Sequence, residues 1–136
     1  MGTVYAEITL KNVADLLRAR DGILKEEDVR ETMVNAMVDT GARTLVINEE
    51  VRKKLGIEVR GERMATLANG AKEMVKIAEP VEVHWKDRSM TCQPMMLPGA
   101  DEVLLGAIPL EDMDLIVDPG KEEVVGRHGD IIMHRI

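Results

Sequence analysis

Apolar and polar residues alternate at the start of this chain. Val4, Ala6, Ile8 and Leu10 are separated by Tyr5, Glu7 and Thr9, the two-residue period of a strand with one buried face. From Asn12 to Asp28 the chain is polar and charged, with Leu16 and Leu17 as its main apolar pair, and it predicts a short helix ended by Asp21-Gly22. Val29 to Val38 reads as a long strand that becomes more buried towards Asp39, and Thr44 to Ile47 as a short one. Asn48 is placed to cap a helix. Glu49 and Glu50 fall in its first turn, Lys53 and Lys54 in its last, and Gly56 follows, each charge complementing the helix dipole. Asn69-Gly70 joins two segments of β character, Arg63 to Ala68 and Ala71 to Ile77, and predicts a two-residue hairpin turn with both φ angles positive.

The alternation resumes at Val81, Val83 and Trp85, with Lys86-Asp87-Arg88 as the turn and Met90 to Leu97 as the return, interrupted by Pro94. Val103 to Leu105 is a short apolar strand, and Pro109 suits the first turn of a helix running to Met113. Leu115 to Val117, Val124-Val125 and Ile131 to Met133 are the last β candidates. With no linker or repeat, the pattern predicts a single domain over residues 1–136, mainly β, with one or two short helices.

Composition narrows this picture. Hydrophobic residues make up 45% of 136, enough for one packed core. Phe is absent and Met numbers ten, so the core is aliphatic and adaptable rather than aromatic. A net charge of −7 argues against nucleic acid, which is gripped by Lys and Arg. No apolar run approaches the roughly 18 residues of a membrane span, and the first residues lack the basic and apolar blocks of a secretory signal. Cys92 is the single cysteine, which leaves no internal disulfide and fits a cytoplasmic location. His84, His128 and His134 have no metal-ligand spacing, so neither metal nor cofactor is expected. Cys92, lying in a predicted strand, reads as a small core residue.

The chemistry concentrates at Asp39-Thr40-Gly41-Ala42, where an apolar strand ends. An acid at the mouth of a buried strand is costly without backbone donors, and Gly41 lets the chain turn to supply them. By itself the triplet also fits a strand-end turn capped by Asp. Two further features follow it in order: the hairpin at Asn69-Gly70, and Leu104-Leu105-Gly106 running into a helix. This succession resembles the retropepsin-like aspartic proteases, and Leu104 to Pro119 is similar to the small bacterial members of that clan. The likeness spans roughly Val4 to Arg127. It implies a closed acid-protease barrel that works as a homodimer, since the triplet occurs once and such enzymes need two acids.

The resemblance further implies that Asp39, Thr40 and Gly41 form the catalytic loop of a peptide hydrolase, with no cofactor. Ala42, together with Ala68, Asn69 and Gly70 on the flap-like hairpin, would bind an extended peptide or protein substrate. Gly106 would sit where a side chain would clash behind the active loop. The chain departs from the viral pattern at Arg43, at the long segment 12–28 and in the tail from Lys121. Two other readings stand beside it. One is a dimeric peptide-binding module of the same fold without catalysis. The other is an actin-like phosphate-binding protein, loosely suggested by Asp39-Thr40-Gly41-Ala42-Arg43-Thr44.

Overall fold

The structure is a computed structural model that describes residues 2–136. Its elements follow the hydrophobic pattern closely. Strand β1 (Tyr5–Asn12) buries Ala6, Ile8, Leu10 and Asn12, and helix α1 (Val13–Arg20) follows directly. A 3-10 turn (Glu26–Asp28) leads into β2 (Glu31–Val38), then β3 (Leu45–Val46) and α2 (Glu49–Leu55). Strands β4 (Val59–Thr66) and β5 (Lys72–Ala78) form the long hairpin, β6 (Val81–Trp85) and β7 (Arg88–Cys92) a second one. The chain ends through β8 (Met95–Met96), β9 (Leu104–Leu105), α3 (Ala107–Asp112), β10 (Leu115–Asp118) and β11 (Glu123–Gly126).

Nine strands make one sheet in the order β4-β5-β8-β3-β9-β2-β1-β6-β7, while β10 and β11 pair separately. The sheet is mainly antiparallel. Its parallel contacts are β2 with β9 and β3 with β8. A single aliphatic cluster spans it, from Leu45 and Leu105 in the middle to Ala78 and Val83 towards its ends, and includes Leu55, Leu110 and Leu115 from the helices and β10. This mainly β architecture does not fit the two-lobed phosphate-binding alternative.

Several expectations need correction. Three α-helices are present among the described residues, not one or two, each where the local sequence pattern placed one. The hairpin turn has three residues, 68–70. Leu67 N–H donates to Ala71 C=O at 2.7 Å, Gly70 N–H donates to Leu67 C=O at 2.9 Å, and only Gly70 takes a positive φ (84°). Asn69 instead uses its side-chain oxygen to accept from Ala71 N–H at 2.9 Å. Arg88 belongs to β7 and is buried, its turn being made by Lys86 at φ 49°. Ile131 to Met133 form no strand. Ile131 makes a single bridge with His128, and the three side chains stay exposed. Among the described residues the sheet has β4 and β7 as its edge strands.

Two buried polar clusters fasten the parts that lie outside the apolar pattern. Asn12 caps α1 by accepting from Asp15 N–H at 3.0 Å, and its amide donates to Leu55 C=O at 2.8 Å. Asp15 accepts from the Arg30 backbone N–H, Nε and Nη2 at 2.8–3.0 Å. These Arg30 bonds hold the Asp15 carboxyl down at about 2, with Arg18 adding attraction. At the other end, buried Arg88 donates to the carbonyls of Met113, Asp114 and Gly129. Asp114 then accepts from His128 at 2.8 Å and from Met133 N–H at 2.9 Å, so the tail is held against β10.

Candidate active site

The Asp39 loop joins two strands that share one short partner. β9 lies between β2, to which it is parallel (Val38 opposite Leu105), and β3, to which it is antiparallel (Leu45 opposite Leu105). Loop 39–44 therefore leaves β2 on one side of β9 and returns into β3 on the other. Asp39 N–H continues the β2–β9 ladder by donating to Leu105 C=O at 3.0 Å. Beyond β9, Ala107 and Ile108 N–H donate to Ala42 and Arg43 C=O, both at 2.8 Å, so the start of α3 clamps the loop from behind. A Cβ at Gly106 would lie 2.3 Å from Thr44 O and 2.7 Å from Ala42 O, which explains the glycine by close approach alone.

Asp39 is half-buried rather than deeply buried, and Thr40 and Gly41 are exposed. The acid is tied by the predicted device: Gly41 N–H donates to Asp39 Oδ1 at 2.9 Å. Among the described residues Oδ2 makes no hydrogen bond, so one oxygen is fixed and the other is available. Ala42 N–H donates to Asp39 C=O at 3.1 Å and closes the turn. The arrangement presents a carboxylate on a rigid loop at the surface.

The hairpin tip is placed differently. Ala68, Asn69 and Gly70 are exposed, and among the described residues no hydrogen bond links them to residues 39–42. The hairpin is anchored at its base, where Lys76 and Ile77 pair with Met96 and Met95 and Ala78 N–H donates to Pro94 C=O. The loop is thus assembled within one chain, whereas the tip is a projecting arm. Cys92 packs against the core in β7, and burial pushes its thiol up to about 12, with Asp112 adding to the effect, so it is not poised as a nucleophile. Among the described residues no group of three or more His, Cys, Asp or Glu could hold a metal, and no helix is long and apolar enough to cross a membrane. Sequence reasoning missed Leu105 as the acceptor that aligns Asp39. Its apolar neighbourhood marked a strand, but not which strand it joins.

Comparison with known proteins agrees with this geometry. The profile of the family described as "gag-polyprotein putative aspartyl protease" matches residues 28–123, which include the Asp39 loop, the hairpin and β9. The chain is similar in fold to the retroviral protease-like domain of Ddi1 from Leishmania major, with a TM-score of 0.58 and 16% identity over 97% of this chain and 92% of that one. It also matches a retropepsin-like aspartic protease from Rickettsia conorii at 22% identity and a TM-score of 0.48, covering 86% of this chain and 85% of that one. Among curated protein sequences there is no match. The family profile takes in most of the chain and the whole of its candidate site, and the protein belongs to this retropepsin-like aspartyl protease family.

Proposed function

We propose that the protein is a homodimeric aspartic endopeptidase whose catalytic pair is Asp39 from each of two copies. The observation that carries this is a surface-facing carboxylate on a rigid loop, one oxygen held by Gly41 N–H and the other free, occurring once per chain. Two such loops meeting at a two-fold axis bring the carboxylates to about 3 Å, where like charges share a single proton. The ionised member takes a proton from a water lying between them, and the protonated member donates to the scissile carbonyl. The product of attack is a tetrahedral diol, with no covalent enzyme intermediate. The two apparent pKa values then belong to the pair.

Thr40, exposed beside the acid, bonds across the interface, and Gly41 leaves room for the peptide backbone. The substrate lies extended between Ala42 and the tip residues Ala68, Asn69 and Gly70, and the hairpin bends at its base to cover it. Core residues shared by both halves of the sheet support a rolled, barrel-like shape closed by packing. Cys92, half-buried and unpaired, is in keeping with a cytoplasmic setting.

The test is Asp39→Asn assayed on a peptide mixture with product detection by mass spectrometry. The substituted amide keeps an oxygen for Gly41 N–H, so the fold is retained, while turnover falls by about a thousandfold or more. Sedimentation of the wild-type protein reads the dimer in parallel. A monomer that cleaves peptides, or an Asp39→Asn variant as active as the parent, refutes the paired-acid mechanism.

A further inference from the structure

Beside the long hairpin lies a groove of about 770 Å³. Met74, Met96 and Leu97 give it an apolar lining, and Glu49, Glu62 and Asp101 stand on its rim. These carboxylates are not equivalent. Glu49 is paired with Arg52, whereas Glu62 sits across the hairpin from Lys76, the one basic residue of the lining. The Asp101 side chain has no hydrogen-bond or ion-pair partner among the described residues and is exposed, as is that of Glu62. Glu50 also lines the groove but is paired with Lys54, so Glu62 and Asp101 are the two lining acids without an ion-pair partner among the described residues.

The groove has a fixed relation to Asp39. Across the sheet from β2 the neighbours are β9, β3 and β8, and Met96 of β8 is part of the lining. Three strand spacings amount to roughly 14 Å, about four residues of extended chain. Within the endopeptidase reading, on which this step rests, a peptide centred on Asp39 reaches the groove about that far from the bond cut.

We infer that the groove selects a lysine or arginine side chain of the substrate, and that Glu62 and Asp101 are the residues that confer this specificity. The aliphatic stem of such a side chain covers Met74, Met96 and Leu97, and its cationic head reaches the rim acids. A purely aliphatic side chain leaves those carboxylates without a partner, and an acidic one is repelled. In a two-fold dimer the groove occurs twice, so basic residues are favoured on both sides of the cleavage point.

The test measures binding to the Asp39→Asn protein by fluorescence anisotropy, so that turnover plays no part. Two labelled aliphatic peptides are compared, one carrying lysine and the other glutamate about four residues to either side of its centre. The lysine peptide binds roughly three- to tenfold more tightly than the glutamate peptide, as expected for two solvent-exposed ion pairs, and the difference shrinks with added salt. Adding E62Q and D101N to the same background removes the preference, with unchanged melting because both side chains are exposed. Equal binding of the two peptides, no binding of either, or a preference that survives E62Q/D101N overturns the inference. Cleavage of the lysine peptide by the protein with Asp39 intact is read separately. Tight, selective binding without cleavage refutes the endopeptidase reading and leaves the groove's selectivity standing.

Discussion

Replacing Gly106 by alanine adds one methyl group between β9 and the loop that carries Asp39. The backbone at Gly106 is extended (φ −86°), so alanine meets no conformational strain, and the whole effect is steric. The new carbon would sit 2.3 Å from Thr44 O, 2.7 Å from Ala42 O and 2.8 Å from Arg43 C, against an ordinary contact of 3.4 Å or more. All three are main-chain atoms, so the loop must retreat by about 1 Å, an overpacking that costs about 1–3 kcal/mol. That retreat stretches the bonds from Ala107 and Ile108 N–H to Ala42 and Arg43 C=O. Each contributes about 1 kcal/mol net, bringing the expected loss to about 3–5 kcal/mol. With a urea dependence of about 2 kcal/mol per molar, the unfolding midpoint falls by about 2 M at fixed protein concentration. Any peptidase activity measured under folded conditions falls by about a hundredfold, the usual penalty for a 1 Å displacement of a reacting group. A midpoint within about 0.5 M of the parent, with unaltered kcat/KM, would show that the loop is not wedged against Gly106.

Other perturbations probe different physics. Gly70→Ala is the converse case: no atom lies within 4 Å of its Cβ position, but φ is 84°, so only backbone strain acts and the loss is about 1 kcal/mol; a loss as large as that of Gly106→Ala would contradict the turn geometry. Asp15 has a folded pKa of about 2, below its unfolded value of about 3.9. Its stabilisation is therefore complete above about pH 5 and lost as pH falls from 4 towards 2; Asp15→Asn should remove that portion of the acid unfolding profile, and parallel profiles for the two proteins would refute the assignment. Arg88→Met removes the side-chain donor from the carbonyls of Met113, Asp114 and Gly129, leaving Asp114 C=O with Arg127 N–H alone. It should cost about 3 kcal/mol and speed amide exchange at Arg127 and Met133, and unchanged exchange there would count against Arg88 as the tail's anchor.

What the sequence made legible was whatever local periodicity and capping control. Val4, Ala6, Ile8 and Leu10 are all buried, as their alternation requires. Asn48 accepts from Val51 N–H and Gly56 takes the left-handed C-cap, as their positions at the ends of a charged helix imply. The Asp39–Gly41 contact follows from the triplet itself. The misreadings share a cause, which is dependence on partners distant in the chain. Asp15, in a segment read only as polar and charged, and Arg88, assigned to a turn, are both buried because Arg30 and a set of tail carbonyls satisfy them. Ile131 to Met133 had β composition, but Ile131 makes only a single bridge with His128, and Met133 N–H donates to the Asp114 carboxylate rather than to a strand. Asn69-Gly70 marked the right hairpin, but the closing bond from Leu67 to Ala71 made the loop one residue longer. The groove beside β5 left no trace in periodicity, because it is formed where the hairpin, α2 and the 97–101 loop converge.

The two-residue strand β9 also determines when the site comes into being. Every bond that fixes the Asp39 loop from below or behind comes from residues 105 to 108, far along the chain from the acid itself. A ribosome releases the acid, its strand and the hairpin well before it releases that support. Closing so long a loop is slow, and the pairing of β9 shares that cost with the still longer-range pairing of β1 with β6. A chain cut before Leu104 thus lacks the bonds that hold the Asp-Thr-Gly loop from below and behind. Folding as far as β9 and the start of α3 is therefore a condition for the Asp39 loop to be held in place.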